Sequence, residues 1–562
     1  MTIKDSNSIK LDNGLFFIPI GGSDQIGMNC YLYICDDQIL IVDLGIAFAE
    51  NVPGVDVAIP DLSFVFQRKN KVVGIIITHV HEDHCGALTY LLKYLPEVNI
   101  YASLFGINFL KAKLEENGHK QDAVKFSLIE DKKIINIKNF NVEFIQLTHS
   151  TLEMMALYIK TKHGTIFHTA DWKFDYDPVI GEPVDKERLK ALDVDLMVSD
   201  STNIATKGSS GCEGSLYEGL YRICEHAKSR IIVTMFASNV ARLSTIFSVA
   251  KKLNKKICLA GRALWRVFNA AIESGYLEEY EASLVINEVE INSQKPENLI
   301  LITTGCQAEE TAALTKIVEG KHRHIKFLKN DLIIFSSKNI PGNERRIYNL
   351  QNKIVRFGAN FITTSEENKV HVSGHPTFDD VKEMYELVRP RIAIPVHGED
   401  IHTSKHASLA NDLGVDRVLV VHNGDVIKID NYEPCLTEKI CEVRSGFLYV
   451  DGKLFRKESD PVLKTRERIM KNGLILITIF LNKKDKNNLP QIKLSAPGLL
   501  DENNDMPIMS DLVNKIKKEI GILCESNDRR GDFYHTTMSL TKKFCRARLG
   551  KEPLIKIETI FS

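Results

Sequence analysis

Residues 77–86 read ITHVHEDHCG, and no other stretch restricts so tightly what this chain can fold into. It overlaps the end of VVGIIIT, an apolar run with the length and β-branched content of a buried strand. It runs into GALTYLLKYL, whose apolar spacing predicts a helix starting just after His84. His79, His81, Asp83 and His84 therefore occupy a strand-to-helix turn. Side chains alternate along an extended segment, so His79 and His81 can face one ion. Asp83 and His84 lie past the strand, where the turn redirects them towards a second metal close by. A lone histidine is usually an ordinary core or surface residue, but four ligating groups in six positions are not.

Two ions need more ligands than four, and the chain offers His149 in LTHS, Asp171 in HTADW and His397 in PVHGED. The strands predicted in FNVEFIQLTHS, LYIKTKHGTIFHTAD and VDLMVSD each have His or Asp at or near the carboxyl end, so rigid strands deliver these groups to one edge. A carboxylate such as Asp171 can bridge both ions. Two metals about 3.5–4 Å apart can hold a hydroxide nucleophile and stabilise the attacking and leaving oxygens of phosphodiester cleavage. The chemistry points to hydrolysis.

The chain has 562 residues, enough for two or three domains, and 44% hydrophobic with 26% charged residues describes a globular protein. Its start, MTIKDSNSIKLDNG, lacks the basic end and apolar run of a secretory signal, and its apolar runs fall short of the roughly 20 residues of a membrane span. We expect a cytoplasmic protein without a membrane partner. Eleven scattered cysteines with no CxxC pair suggest neither a disulfide framework nor a thiolate zinc site. A formal net charge of -1 means that nucleic-acid binding would rest on local basic surface.

Residues 14–46 read as successive strands and a hairpin closing on Asp43. From about 206 to 365, short apolar runs alternate with amphipathic helices, which predicts a second α/β unit. Histidines return in KVHVSGHPTFDD and IAIPVHGED, so this unit interrupts the first. The expected domains are 1–205, resuming at 366–444, the insertion 206–365, and a small α+β domain at 445–562.

HxHxDH with the later His and Asp resembles the metallo-beta-lactamase superfamily, which implies two sheets sandwiched between helices. By that resemblance His79, His81 and His149 hold one zinc, and Asp83, His84 and His397 the other. Asp171 lies between them and Asp43 supports the ligands from behind. The superfamily includes lactamases, thioesterases, lactonases and nucleases, so the fold does not choose the substrate.

Asp200 in VSDSTN, His375 in HVSGHP and His397 in PVHGE resemble motifs A, B and C of its beta-CASP nucleases, in which a histidine at motif C accompanies RNA processing and a valine DNA. GVDVAIPD, FASNVARL, IFSSKNIPGNE and HVSGHPTFDDVKEMYELVRPRIAIPVHGE are similar to the bacterial ribonuclease J family over roughly residues 15–430. The resemblance implies 5'-to-3' exonuclease action on single-stranded RNA with preference for a 5' monophosphate, internal cleavage, RNA maturation and decay, and two zinc ions or manganese in their place. It also implies a homodimer or homotetramer, with RNA-decay or ribosome-associated proteins as partners. The catalytic set would be Asp83, Asp200 and His375, with His375 giving a proton to the leaving 3' oxygen. Substrate contacts are expected at Ser238 and Asn239, which open a helix, and at His371, Val372, Ser373, Gly374 and His375, a turn offering backbone N–H groups to an anion. The chain departs from the family at GGSDQIG, which lacks the Glu before Ile-Gly, and at TTGCQAEE, with Cys306 and Ala308 in place of Ser and Gly. A thioester or lactam hydrolase would not need the insertion, a DNA nuclease would favour valine at 397, and a non-catalytic RNA-binding subunit should have lost ligands.

Overall fold

The computed structural model describes residues 9–49, 52–95, 97–120, 124–340, 342–481, 490–525 and 532–561. They form two compact units, one of residues up to 47 and 59–446, the other of Phe48–Ala58 and Phe447–Ser562.

The first unit is organised around two large sheets. One has eight strands, in the order Glu438–Glu442, Asp425–Ile429, Leu15–Gly21, Cys30–Cys35, Gln38–Val42, Val72–Ile76, Ile100–Ala102 and Phe126–Leu128. The other has seven, in the order Arg417–Val418, Ile392–Val396, Leu196–Asp200, Gly164–His168, Met155–Thr161, Phe140–Gln146 and Ile134–Ile137. Period-two alternation builds the core between them: Phe17, Tyr31, Tyr33, Leu40 and Val42 from one sheet meet Phe144, Leu157, Val198 and Ile394 from the other. The opposite face of the seven-stranded sheet packs Tyr158, Phe167 and Met197 against Val381, Met384 and Tyr385 of the helix Phe378–Val388. Strands covered on both faces read as continuous apolar runs, and Cys30–Cys35 is buried at every position.

Both parts of the chain that flank the insertion contribute to each sheet. Leu196–Asp200 lies parallel to Ile392–Val396 with Asp200 paired to Val396, so residues almost 200 positions apart finish at the same edge. Between them, residues 231–362 build a six-stranded sheet of parallel strands, in the order Val285–Ile286, Lys256–Ala260, Leu299–Thr303, Ile231–Thr234, Leu332–Phe335 and Asn360–Ile362.

In the second unit the strands Gln491–Ser495, Leu474–Leu481 and Leu554–Phe561 form a three-stranded sheet in that order. Alternate residues Ile475, Ile477 and Ile479 pack on Leu512, Ile516 and Ile520, spaced by four along the helix Met506–Glu525. Among the described residues, no helix is long and apolar enough to cross a membrane.

Candidate metal centre

The strand Val72–Ile76 ends just before the histidine-rich turn, and Glu82–Cys85 forms a single helical turn. Backbone hydrogen bonds fix this turn to the neighbouring loop. Leu44 N donates to His84 O (2.7 Å), Ile46 N to Glu82 O (3.0 Å) and Asn29 N to Asp83 O (2.8 Å). Asp43 is fully buried at φ 65° and accepts from Thr78 N at 2.8 Å. Ala170 and His397 also have positive φ, 49° and 53°. The backbone thus turns sharply at the sheet edge beside Asp171 and at His397, conformations that cost about 1–3 kcal/mol each and gather at functional sites.

Three imidazoles converge first. His149 Nδ1 donates to the Gly374 carbonyl at 2.5 Å, which leaves Nε2 with its lone pair. That nitrogen lies 3.0 Å from His81 Nδ1, which is 3.1 Å from His79 Nε2. Asp171 Oδ2 is 3.7 Å from both His79 Nε2 and His149 Nε2. A second group adjoins it. His84 Nδ1 donates to Asp43 Oδ2 at 2.7 Å, turning Nε2 towards Asp171 Oδ2 at 3.1 Å and Asp83 Oδ2 at 3.6 Å. His397 Nε2 lies 3.1 Å from Asp83 Oδ2 and 3.6 Å from Asp171 Oδ1. Within each four-residue group the ligating atoms lie inside 4.8 Å of one another, and Asp171 is common to both.

The donor set fits divalent metal. Asp171 Oδ2 is buried and accepts no hydrogen bond, facing imidazole nitrogens whose other ring nitrogens are engaged elsewhere. A buried carboxylate without donors is unfavourable unless a cation satisfies it. Imidazole and carboxylate ligands oriented by outer partners suit zinc or a similar ion.

The electrostatics divide along the same line. Burial pushes His79 and His149 well below the ordinary histidine value and His81 down to about 4, so these rings are neutral with lone pairs available. Burial acts the same way on His84, but the carboxylates of Asp171, Asp83 and Asp43 outweigh it and raise its pKa well above normal. His397 is pushed up to about 9 against burial, chiefly by Asp171 and its bond to Asp83. Asp171 is held well below the usual carboxylate range despite burial, through His397, His84 and His375. The carboxylate-rich half is thus a site that attracts positive charge.

His375 stands beside both groups, its Nδ1 2.8 Å from Asp200 Oδ2 and 3.7 Å from Asp171 Oδ2. Ser373 Oγ accepts from Asn203 Nδ2 at 2.7 Å and from His375 N at 3.1 Å, closing the turn that contains Gly374. Ser238, Asn239, His371 and Val372 lie outside the ligand groups. The Asn239 side chain caps the helix Val240–Lys252 by accepting from Arg242 N at 2.8 Å, and its amide reaches Glu213 at 3.3 Å. His371 Nδ1 is buried without a partner, and burial, with Arg242, Lys173 and Lys338 nearby, lowers its pKa to about 3.

Two residues of the centre were not singled out by sequence reasoning. Asn29 donates to the Asp83 carbonyl at 3.2 Å and contacts His84 Nε2 at 2.9 Å, its own oxygen accepting from Tyr31 at 2.7 Å. Nothing in GMNCYLY signals this role. Thr202 touches both Asp200 and His397, and its place in SDSTN is the only clue.

Family models match in chain order: the metallo-beta-lactamase superfamily at 26–224, the ribonuclease J beta-CASP domain at 228–354, and the Zn-dependent metallo-hydrolase RNA specificity domain at 366–421. Ribonuclease J of Helicobacter pylori strain ATCC 700392 / 26695 is 33% identical over 520 residues, covering 91% of this chain and 73% of that protein. The chain belongs to the ribonuclease J family. Ribonuclease J of Sinorhizobium meliloti strain Sm2011 / Rm2011 / 2011 is 34% identical over 489 residues, 86% of this chain and 85% of that one. A crystal structure of a protein of unknown function from Enterococcus faecalis V583 superposes with a TM-score of 0.53 at 13% identity, over 74% of this chain and all of that one, and shares the fold. As a member of the ribonuclease J family this is a metal-dependent ribonuclease with the metallo-beta-lactamase fold and a beta-CASP insertion.

Proposed function

We propose that the protein hydrolyses single-stranded RNA from the 5' end, preferring a 5' monophosphate, and also cuts internally, using two zinc ions or manganese in their place. The observation that supports this best is the single carboxylate of Asp171 set between two ligand groups. In this reading His79, His81, His149 and Asp171 hold one ion and Asp83, His84, His397 and Asp171 the other. Bound there, the pair supplies Lewis-acid activation of water and neutralises charge on the phosphate.

The chain's own residues do the rest. Asp43 fixes the His84 ring through Nδ1 and so selects Nε2 as the ligating nitrogen. Asp200 orients His375 and favours its charged form, and the raised pKa of His375 keeps a proton available for the leaving 3' oxygen. Ser238, Asn239 and the segment His371, Val372, Ser373 and Gly374 contact the RNA backbone. Action in the cytoplasm, as a homodimer or homotetramer with RNA-decay or ribosomal partners, belongs to the same reading.

The test compares 3'-labelled RNA bearing a 5' monophosphate or triphosphate with DNA of equal sequence, alongside metal analysis of the purified protein. We expect two ions per chain, release of nucleoside 5'-monophosphates from monophosphorylated RNA, and loss of that activity in Asp83→Ala. RNA digestion by Asp83→Ala at the wild-type rate would remove the centre from the reaction.

A further inference from the structure

We propose that Thr202 is a positioning residue which couples a metal ligand to the proton donor, its one hydroxyl standing between His397 and the carboxylate of Asp200. This rests on the roles given above to His397 and His375.

Thr202 Oγ1 lies 2.5 Å from His397 Nδ1 and 2.6 Å from Asp200 Oδ1. A third contact, to the His397 carbonyl, is longer at 3.1 Å, and a hydroxyl has one proton to give among the three. The carboxylate is the stronger acceptor, and 2.6 Å falls in the range of a charge-assisted O–H···O⁻ bond. The hydroxyl therefore donates to Asp200, and His397 Nδ1–H donates to Thr202 Oγ1. That choice decides which nitrogen can ligate: with Nδ1–H committed to Thr202, Nε2 of His397, which faces Asp83 and Asp171, is the one that would give up its proton to a metal. With the hydroxyl reversed, Nε2 would hold the proton and could not ligate.

The other oxygen of Asp200 accepts from His375 Nδ1 at 2.8 Å. One carboxylate thus orients two histidines with different tasks, one directly and one through Thr202. The supply of parts follows from the sheet, because Asp200 and Val396 are paired on adjacent parallel strands and the next residues meet at their ends.

The backbone here is held by more than the hydroxyl, which itself lies 3.1 Å from the His397 carbonyl. Thr202 N donates to Asp200 Oδ1 at 2.8 Å. Ser201 Oγ lies 2.9 Å from His406 Nδ1, whose Nε2 is 3.0 Å from the Tyr385 hydroxyl, all three side chains buried. Thr202→Val, of nearly equal shape, should keep the fold while removing the link, and Thr202→Ser should keep the link.

The experiment measures zinc retained by each full-length variant against a graded chelator, together with kcat and KM on 5'-monophosphorylated RNA. Loss of an outer-sphere partner commonly weakens metal binding or activity on the order of 10- to 100-fold. Thr202→Val should release one of its two ions at correspondingly lower chelator and lose kcat by a similar factor, with KM unchanged. Thr202→Ser should restore both. The proposal is overturned if Thr202→Val retains metal and turns over like wild type, or if Thr202→Ser is as impaired as Thr202→Val, since packing of the methyl group would then be the cause. Asp83→Ala separates the two readings. If that variant remains fully active the nuclease centre is elsewhere, whereas the zinc comparison between the Thr202 variants still judges the hydroxyl.

Discussion

A Cβ at Gly45 would stand 1.7 Å from the Asp83 carbonyl oxygen and 2.7 Å from the Asn29 amide nitrogen, so the loop after Asp43 can hold the ligand turn only because residue 45 has no side chain. Both obstructing atoms belong to backbone and have no rotamer to escape into. Gly45→Ala should therefore displace the segment containing Asp83 and His84, at a cost above the ~1–3 kcal/mol typical of an overpacked core. Metal analysis and thermal unfolding check this, and a variant with two ions and an unchanged Tm would contradict it. At this scale the sequence was readable where residue type announces chemistry. His79, His81, Asp83, His84, His149, Asp171 and His397 do meet, because each lies at or just past a strand end. Asn29 and Thr202 were not readable, since amides and hydroxyls are common at turns for reasons unrelated to metals.

Among elements, the insertion is tied together by two buried ion pairs, Arg230 with Asp331 and Arg242 with Glu213, and the second reaches furthest. Arg242, on the helix Val240–Lys252, is fully buried and binds Glu213 through Nε at 3.0 Å and Nη2 at 2.9 Å. Its Nη1 donates to the Ser336 carbonyl at 3.1 Å and to the Val370 carbonyl at 3.2 Å, just before the turn that ends at His375. Arg242→Met would strand the Glu213 charge, and breaking such a pair costs about 3–5 kcal/mol. We expect a marked fall in Tm, partly recovered by adding Glu213→Gln, and scanning calorimetry of both variants decides it. FASNVARL read as a helix start, and the helix does begin at Val240. What the sequence could not say is that Asn239 and Arg242 also anchor other segments, because such pairings depend on tertiary approach. The run GALTYLLKYL shows the same limit: it forms a four-residue helix, Leu88–Leu91, and a 3-10 turn, Leu92–Tyr94, in place of one long helix.

Across the whole molecule, charge is unevenly shared. Residues 447–562 contain 22 Lys and Arg against 15 Asp and Glu, a formal +7, while residues 1–446 contain 50 against 58, or −8. The near-neutral total conceals this division, and a basic segment is what attracts a polyanion at long range. Arg468, Lys542 and Arg546 line one cleft of the second unit. If they meet RNA phosphates, converting all three to Gln should lower the slope of log binding constant against log salt by about 2, at roughly 0.7 per phosphate on single strands. Fluorescence anisotropy across a salt series tests this, and an unchanged slope would place the phosphate contacts elsewhere.

The pairing of Leu196–Asp200 with Ile392–Val396 bears on how the chain is threaded. The connection between these two strands is more than a loop, because its last helix, Phe378–Val388, packs on the seven-stranded sheet. Every residue of the two groups around Asp171 lies outside that connection, whereas His375, and the Gly374 carbonyl that accepts from His149, come from within it. Two strands adjacent in space thus fix the edge, while the long segment threaded between them supplies parts that orient it.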